Sequence, residues 1–324
     1  MSLQVIVGAG PVGTATALLL ADQGHQVRLL TRSGGGPEHH NIDRVAMDAS
    51  DADALCRQAE QAAVLYSCGG PAYHRWVTDW PPLGEALVRA AEVSGAVLLT
   101  TGNLYGYGAV DGPMTEQLPD RPNSVKGAVR ARIWAEALAA HRAGRIRTAE
   151  VRGSDYLGAG AVSVFTSIVL PAILAGRRAL VPADLDAPHS WTHTIDVART
   201  LVAVAADENA WGRVWHVPTA QPLSVRALAR RAGELAGAPA ARLSRMPGAV
   251  LWLGGLFNKD AREIREMQYQ LQRPFLLDSS AATDALGIHP TPTDDALLAT
   301  IEASRARAAN PGAEESAAGK SSVN

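Results

Sequence analysis

Cysteine is scarce in this chain: Cys56 and Cys68 are the two cysteines among 324 residues. Two cysteines cannot build a disulfide framework, and these two do not fall in the spacing of a metal-binding motif. One adjacent histidine pair, His39 and His40, lies in a loop rich in glycine and proline. We therefore expect no metal site, and a reducing compartment such as the cytoplasm.

The chain also lacks a charge excess of either sign, and it lacks a hydrophobic run long enough to cross a bilayer. Its 30 basic and 32 acidic residues leave a formal net charge of −2, which predicts no attraction to nucleic acid or to an anionic membrane. The apolar stretch from Val162 to Leu174 is too short for a span and is interrupted by Pro171. The expected partner is a small-molecule substrate, with no nucleic acid and no membrane.

A glycine-rich turn follows the first apolar run of the chain. The run from Leu3 to Val7 is typical of a strand buried on both faces, and the glycines after it fit the spacing G-x-G-x-x-G at the start of a helix. In such a turn, backbone N–H groups at the helix N-terminus bind the pyrophosphate of a dinucleotide. The predicted cofactor contacts in this turn are Gly8, Gly10, Pro11, Val12 and Gly13.

The end of the second predicted strand bears on the choice of dinucleotide. An NAD-binding site places an acidic residue there for the ribose 2′-hydroxyl, but this chain has Thr31 and Arg32. A guanidinium group is suited to a 2′-phosphate, so the sequence favours NADP, with NAD as the alternative. In the other interpretation, Arg32 is a solvated residue at a strand end.

Strand-like and helix-like segments alternate through the first half of the chain. This alternation predicts an α/β fold, a doubly wound parallel sheet of the Rossmann type with a smaller C-terminal substrate lobe. We expect a dinucleotide-binding domain over residues 1–155 with late strands from beyond 155, a mostly substrate-binding lobe over 156–302, and a disordered tail over 303–324. The expected strands are 3–7, 26–30, 43–47, 63–66, 96–100, 147–151, 179–181 and 215–217, and the expected later helices are 52–62, 83–94, 133–142, 164–174, 195–206 and 224–236.

Several segments, in order, resemble an extended short-chain dehydrogenase/reductase, the superfamily that includes NAD-dependent epimerases and dehydratases. The resemblance covers nearly the whole chain. It rests on the glycine turn and on residues 47–51, 99–106, 151–158, 191–198, 274–280 and 286–290. The resemblance implies that Asp48 contacts the adenine and that Thr101 is the hydroxyl residue that orients the substrate. It also implies a homodimer formed through two helices of the main domain.

The chain departs from this superfamily at its catalytic pair. In the superfamily a Tyr-x-x-x-Lys pair follows the serine or threonine, but Lys126 stands at the tyrosine position, 25 residues after Thr101, and Arg130 stands at the lysine position. No tyrosine lies between Tyr107 and Tyr156. The chain is therefore similar to the atypical branch of the superfamily, which keeps the fold and often loses the standard pair.

The altered pair leaves the identity of the proton donor open. Lys126 could donate a proton to a carbonyl, and its pKa would fall if it were desolvated beside Arg130. Arg130 would stay charged and could hold the nicotinamide ribose or a substrate carboxylate. Tyr105 and Tyr107 are alternative donors, although the resemblance makes Tyr105 a structural or pocket-lining residue. In a simpler interpretation, Lys126 is a solvated loop residue and Arg130 an exposed helix residue.

Further contacts are expected beside the altered pair. The resemblance places the segment after the fourth strand along the nicotinamide, so the expected cofactor contacts also include Thr31, Arg32, Asp48, Cys68, Gly69, Arg130 and Ser154. The expected substrate contacts are Tyr73, Trp76, Trp80, Asn103 and Asp155. The aromatic residues of this set could equally pack their loop against the sheet, and Asp155 could be a base or a loop residue.

These observations lead to one main hypothesis and two rivals. The main hypothesis is an NADP-dependent reductase of a small or medium carbonyl or imine metabolite, in which the cofactor supplies the hydride and the protein supplies orientation and a proton. The first rival is a non-redox isomerase, dehydratase or cyclase that keeps the dinucleotide bound. The second is a catalytically inactive protein that senses the dinucleotide, since the standard tyrosine is missing.

Overall fold

The protein is built around a parallel β-sheet, in a computed structural model that describes residues 1–247 and 265–309. Short additional strands surround the sheet. The strands are β1 (Leu3–Val7), β2 (Gln26–Thr31), β3 (Ile42–Ala46), β4 (Ala62–Ser67), β5 (Val97–Asn103), β6 (Pro113–Met114), β7 (Arg147–Gly153), β8 (Asp155–Leu157), β9 (Arg178–Val181), β10 (Pro188–His189), β11 (Trp191–His193), β12 (Val214–His216), β13 (Leu223–Ser224), β14 (Arg242–Arg245) and β15 (Leu276–Leu277).

The main sheet has seven strands in the order β12-β7-β5-β4-β1-β2-β3, and each neighbouring pair is parallel. The strand β1 lies inside the sheet, with β2 on one side and β4, the central strand, on the other. The chain therefore changes direction across the sheet at β1 and β4. In an open α/β sheet, the crevice at this switch point, beyond the carboxyl ends of the strands, is where ligands bind.

Helices cover both faces of the sheet. The helices are α1 (Pro11–Asp22), α2 (Ala52–Ala59), α3 (Trp76–Ser94), α4 (Val125–Arg142), α5 (Leu170–Leu174), α6 (Thr194–Ala206), α7 (Val225–Ala236), α8 (Tyr269–Gln272), α9 (Ser280–Leu286) and α10 (Thr293–Ala309). Ile6 of β1 packs into a core with α1 and α6, whereas Val5 and Val7 pack into a second core with α2, α3 and α4. Burial of both faces explains the unbroken apolar run of β1.

A smaller lobe with its own hydrophobic core is formed by later segments of the chain. Side chains of α5, α7 and α10 pack there against β9 and against Phe165 and Trp191. The predicted fold class, a doubly wound parallel sheet with a smaller C-terminal lobe, is confirmed.

Several element boundaries differ from the sequence prediction. The helix predicted to begin at Leu83 begins at Trp76 and continues through Pro81 and Pro82, although proline normally ends a helix. The indole N–H of Trp76 donates to the carbonyl of Pro71 at 3.2 Å and fixes this early turn. The helix predicted at 133–142 begins at Val125, where the Ser124 hydroxyl accepts from an amide of the first turn.

Two other segments also differ from their predictions. The helix predicted over 52–62 ends at Ala59, because Gln61 has a positive φ of 63° and β4 begins at the next residue. The tail was expected to be disordered from residue 303, but residues 303–309 form the last turns of α10. The rest of that predicted tail, residues 310–324, lies outside the described residues.

Candidate active site

The glycine turn lies at the carboxyl end of β1, directly against the chain that leaves β4. Gly8 has a φ of 98°, and a Cβ atom there would overlap the backbone of Gly69. A Cβ on Gly13 would overlap the carbonyl oxygen of Gly8. Gly8 and Gly13 therefore allow the strand, the helix α1 and the β4 loop to approach one another closely.

Gly10 has a different surrounding, which fits a bound pyrophosphate. A Cβ atom on Gly10 would meet nothing within 4 Å, so this glycine leaves open space in front of the helix. Gly10 is the N-cap of α1, no side chain caps the helix, Pro11 occupies the first turn and no acidic residue lies there. An uncapped helix N-terminus with a positive dipole end suits an anionic ligand.

The end of β2 leaves Arg32 exposed at the surface. Thr31 donates from its hydroxyl to the carbonyl of Gly35 at 3.1 Å, which ties the following glycine loop to the strand. Asp48 accepts from both the amide and the hydroxyl of Ser50. These hydrogen bonds, with a smaller contribution from the Arg32 charge, lower the pKa of Asp48. A cation and a carboxylate thus follow the carboxyl ends of β2 and β3.

A cavity of about 240 Å³ opens beside the glycine turn, and we call it the central cavity. It lies beyond the carboxyl ends of β4, β5 and β7. Its lining contains most of the residues that the sequence predicts for the reacting end of the site. These predicted residues are Cys68, Gly69, Tyr73, Trp76, Trp80, Thr101, Asn103, Tyr105, Arg130, Ser154 and Asp155.

The first turns of α4 carry Lys126 and Arg130 to this region. The Ser124 hydroxyl accepts from the amide of Gly127 at 3.0 Å and starts the helix. A Cβ atom on Gly127 would overlap the carbonyl oxygen of Tyr105. The absence of a side chain at Gly127 therefore lets α4 lie against the turn that follows β5.

Lys126 is buried and has a partner that the sequence argument did not consider. Its Nζ atom lies 2.8 Å from a carboxylate oxygen of Glu266, and its backbone amide donates to the other oxygen at 2.9 Å. Burial opposes the charge of Glu266, but the hydrogen bonds from Lys126 outweigh it and lower the pKa of that carboxyl. The predicted charged neighbour was Arg130, whereas the observed one is Glu266. Lys126 also lies over the ring of Tyr73, 4.6 Å from its centroid.

Arg130 is buried in a chain of paired charges behind the central cavity. Its guanidinium donates to the carbonyl of Thr101 at 2.7 Å and lies 3.3 Å from Glu150. The other oxygen of Glu150 accepts from Arg152, which also makes two hydrogen bonds to Asp120. Burial lowers the pKa of Arg130, and the Glu150 carboxylate opposes this effect. We call these four residues the buried charge network.

Cys68 lies between the glycine turn and Thr101. Burial raises the pKa of its thiol to about 11, and nearby hydroxyls of Thr101 and Thr16 offset only part of the effect. A thiol with this pKa stays protonated at neutral pH. Cys68 therefore contributes a small uncharged wall to the cavity and has no features of a nucleophile.

The two tyrosines that follow β5 have different positions. Tyr105 lines the central cavity, and its hydroxyl accepts from the hydroxyl of Tyr73 at 3.3 Å. Burial and then the Asp155 charge raise the pKa of Tyr105 to about 12. Tyr107 is not among the residues that line the cavity; its hydroxyl lies 2.8 Å from Nε2 of His216, whose Nδ1 faces the carbonyl of Asp278 at 2.7 Å.

Asp155 lines the central cavity and has a histidine next to it. Its Oδ2 atom lies 3.0 Å from Nε2 of His189. His189 is 3 % exposed and sits between the rings of Trp191 and Phe275, at centroid distances of 4.6 and 5.3 Å. The structure therefore joins a cavity-facing carboxylate to a buried imidazole.

The chain that forms this turn, sheet and cavity is similar to proteins of a known family. The sequence profile of the NAD dependent epimerase/dehydratase family matches residues 5–217. The chain belongs to this family. Among curated proteins, no sequence matches the chain.

Solved structures of similar fold include two sugar-nucleotide epimerases and a further bacterial enzyme. The UDP-glucuronic acid 4-epimerase of Bacillus cereus, solved with NAD, has a TM-score of 0.77 at 17% identity over 96% of this chain and 99% of its own. The UDP-glucose 4-epimerase of Thermotoga maritima, solved with UDP-glucose, has a TM-score of 0.76 at 16% identity, over 94% of this chain and 99% of its own. The enzyme WbmH of Bordetella bronchiseptica, solved with NAD+, has a TM-score of 0.74 at 17% identity, over 94% of this chain and 99% of its own. At these identities the similarity establishes the fold.

In this family member, several residues that were not predicted from the sequence also lie around the cavity. Tyr156, Gln270 and Phe275 line it, and Glu266 and Glu150 hold its two cationic neighbours. Tyr156 follows directly after two predicted site residues, which is a usable signal. Gln270 and Phe275 come from a distant segment of the chain, and the charge pairing of Glu266 has no local pattern.

Over residues 1–247 and 265–309, no helix combines the length and hydropathy required to cross a membrane. Over the same ranges, no group of three or more His, Cys, Asp or Glu side chains is placed to hold a metal ion.

Proposed function

We propose that the protein binds a nicotinamide dinucleotide across the glycine turn and transforms a small polar metabolite in the central cavity. The observation that carries this proposal is the contact between Gly8 and Gly69, which brings the uncapped helix α1 and the central cavity together at the switch point of the sheet. A dinucleotide held at α1 would reach the cavity with its nicotinamide end. Gly8, Gly10, Val12 and Gly13 would hold the pyrophosphate, and Cys68, Gly69, Arg130 and Ser154 would border the nicotinamide ribose and ring.

We infer that the reaction is a non-redox one, an isomerisation or a dehydration. Family membership supports this choice, as does the occurrence of UDP-sugar epimerases among the proteins of similar fold. Gly8, Gly10 and Gly13 would hold the dinucleotide, which would supply reversible hydride acceptance with no net change in its redox state. Thr101 orients the reacting hydroxyl, Asn103 and Asp155 bind other polar groups of the substrate, and Trp76 and Trp80 keep water from the site.

Tyr105 is the group that we assign to proton transfer. It lines the cavity, and with a pKa of about 12 its phenol would donate a proton when a substrate carbonyl takes up hydride. The Asp155 carboxylate, which lines the same cavity, would accept the proton that leaves the reacting hydroxyl. Lys126 is a weaker candidate because removal of its proton would leave the Glu266 carboxylate without its cation. We therefore assign Lys126 a positioning role, in which it holds Glu266 and the ring of Tyr73.

Calorimetric titration with NAD, NADH, NADP and NADPH tests the binding part of the proposal. We expect at least one redox pair to bind, with affinity lost in the variant Gly10→Ala. A failure of all four dinucleotides to bind would overturn the proposal. For the reaction, a hydroxylated or carbonyl substrate should turn over with no net change in nicotinamide absorbance.

A net NADPH-dependent reductase is the second candidate function, and Arg32 favours it. Arg32 is exposed at the end of β2, where a guanidinium suits the 2′-phosphate of NADP. The variant Arg32→Ala should then weaken NADPH binding by about tenfold or more and leave NADH binding unchanged. A reductase would consume one NADPH per product. Equal weakening of both dinucleotides in Arg32→Ala would remove the argument for NADP.

A further inference from the structure

The central cavity carries a charge arrangement that bears on its substrate. We propose that it selects a small metabolite with a positively charged nitrogen, which Asp155 and the surrounding aromatic rings bind. The proposal deepens the proposed function and rests on it, since it concerns the same cavity.

The first argument comes from the pairing of charges around the cavity. Among the described lining residues, the permanently charged side chains are Arg130 and Asp155. Arg130 belongs to the buried charge network, whose two arginines and two carboxylates sum to zero. The nearby ion pair of Lys126 and Glu266 is also neutral. Asp155 is thus the charge at the cavity wall that these pairs leave uncompensated.

His189 lies next to the Asp155 carboxylate. Its Nε2 atom lies 3.0 Å from Oδ2, and aromatic rings enclose the imidazole. Among the described residues neither of these two buried atoms has a hydrogen-bond partner, so Asp155 keeps acceptor capacity for a ligand. A carboxylate that is 17 % exposed and faces a cavity gains most from a cationic partner.

The second argument comes from the aromatic wall. Six aromatic side chains line the cavity, namely Tyr73, Trp76, Trp80, Tyr105, Tyr156 and Phe275. Two of these rings already bind cations of the chain itself, because Lys126 lies 4.6 Å from the Tyr73 centroid and Arg130 lies 4.5 Å from the Trp80 centroid. Aromatic faces beside a carboxylate are the surroundings that proteins use to bind ammonium groups.

Asp155 lies close enough to these rings to act with them on one ligand. After burial, the negative charge of Asp155 is among the causes that raise the pKa of Tyr105 and of Tyr156. Trp76 lies beside both Tyr73 and Tyr105, at centroid distances of 5.0 and 6.2 Å. A bound nicotinamide would take part of the cavity of about 240 Å³, so the remaining space suits a compact amine rather than a large one.

The test compares two probes of the same shape. Choline and dimethylbutanol, its uncharged isostere in which carbon replaces nitrogen, are titrated into the protein saturated with the dinucleotide that binds it best. Quenching of tryptophan fluorescence reports binding, since Trp76 and Trp80 line the cavity. We expect choline to bind at least about tenfold more tightly than dimethylbutanol.

Variants separate the two parts of the proposed site. Asp155→Asn should weaken choline binding about tenfold or more and leave the affinity for dimethylbutanol unchanged. Glu136→Gln, at an exposed carboxylate paired with Arg132 on α4, is the matched control for net charge. It should leave the affinity for both probes unchanged. Trp76→Leu should weaken choline more than dimethylbutanol, and it provides a second variant if Asp155→Asn does not fold.

Equal affinities of wild-type protein for the two probes, or no choline binding at all, would overturn the inference. So would an Asp155→Asn protein that folds and binds choline as the wild type does. A protein that binds its dinucleotide normally but shows no preference for choline would refute this inference and leave the proposed function intact. Failure of dinucleotide binding would refute the proposed function itself.

Discussion

Tyr105 and Lys126 are the two residues whose roles in the proposed reaction differ most from the sequence expectation. Tyr105→Phe removes the cavity phenol, so kcat should fall by about 100-fold or more, the usual cost of losing a general acid. Lys126→Met removes a positioning contact, and kcat should fall by less than about tenfold. Turnover is followed by product analysis on one substrate.

A matched control for these two variants is Tyr107→Phe. The Tyr107 hydroxyl contacts His216 away from the central cavity, and burial lowers the pKa of that histidine. Tyr107→Phe should therefore keep kcat and lose only stability. An inactive Lys126→Met protein beside an active Tyr105→Phe protein would contradict the assignment and return the proton-donor role to Lys126.

The thiol of Cys68 allows a prediction about how its alkylation depends on pH. Burial raises the pKa of its thiol to about 11, from an ordinary value of 9.0. At pH 8 about one Cys68 in a thousand is then a thiolate, against about one in ten for the ordinary thiol. Alkylation of Cys68 by iodoacetamide should be slow at pH 8 and accelerate as the pH rises toward 11. Mass spectrometry separates it from Cys56, and fast labelling of Cys68 at pH 8 would be inconsistent with the structure.

The glycine turn and helix α1 allow a prediction at the scale of one element. A Cβ at Gly10 meets open space, whereas a Cβ at Gly13 overlaps the carbonyl of Gly8. Gly10→Ala should keep the melting temperature of the free protein and weaken dinucleotide binding by about tenfold or more. Gly13→Ala should lower the melting temperature by several degrees, because strand and helix must separate. Thermal unfolding with calorimetry distinguishes them, and unchanged dinucleotide affinity in Gly10→Ala would refute the pyrophosphate site.

The buried charge network belongs to the scale of the whole molecule, since it joins β7, α4 and the segment around Asp120. Glu150→Gln leaves Arg130 and Arg152 without their shared carboxylate in a buried environment. The free energy of unfolding should fall by about 3–5 kcal/mol. Urea denaturation measures the change.

An exposed glutamate provides the comparison. Glu136→Gln breaks the ion pair with Arg132, whose side chains are 41 % and 62 % exposed. Its cost should be much smaller than that of Glu150→Gln because solvent screens the pair. Similar losses for Glu150→Gln and Glu136→Gln would show that the buried network contributes no more than a surface contact.

The sequence by itself determined the parts of this protein that local patterns encode. The apolar run of β1 and the spacing of Gly8, Gly10 and Gly13 predict a strand, a tight turn and a helix, because each residue meets its neighbours along the chain. The alternation of strands and helices predicts the doubly wound sheet. The order of the motifs also predicts that Thr101, Lys126 and Arg130 belong to one site.

Only the tertiary structure decided how those residues are paired. Glu266 reaches Lys126 from 140 residues away, and His189 reaches Asp155 from a separate strand. Such contacts depend on how sheet, helix and lobe pack, and packing between distant segments leaves no period or spacing in the sequence. For the same reason, the sequence does not reveal the net charge at the central cavity. That charge depends on which carboxylates are paired with a cation in the folded protein.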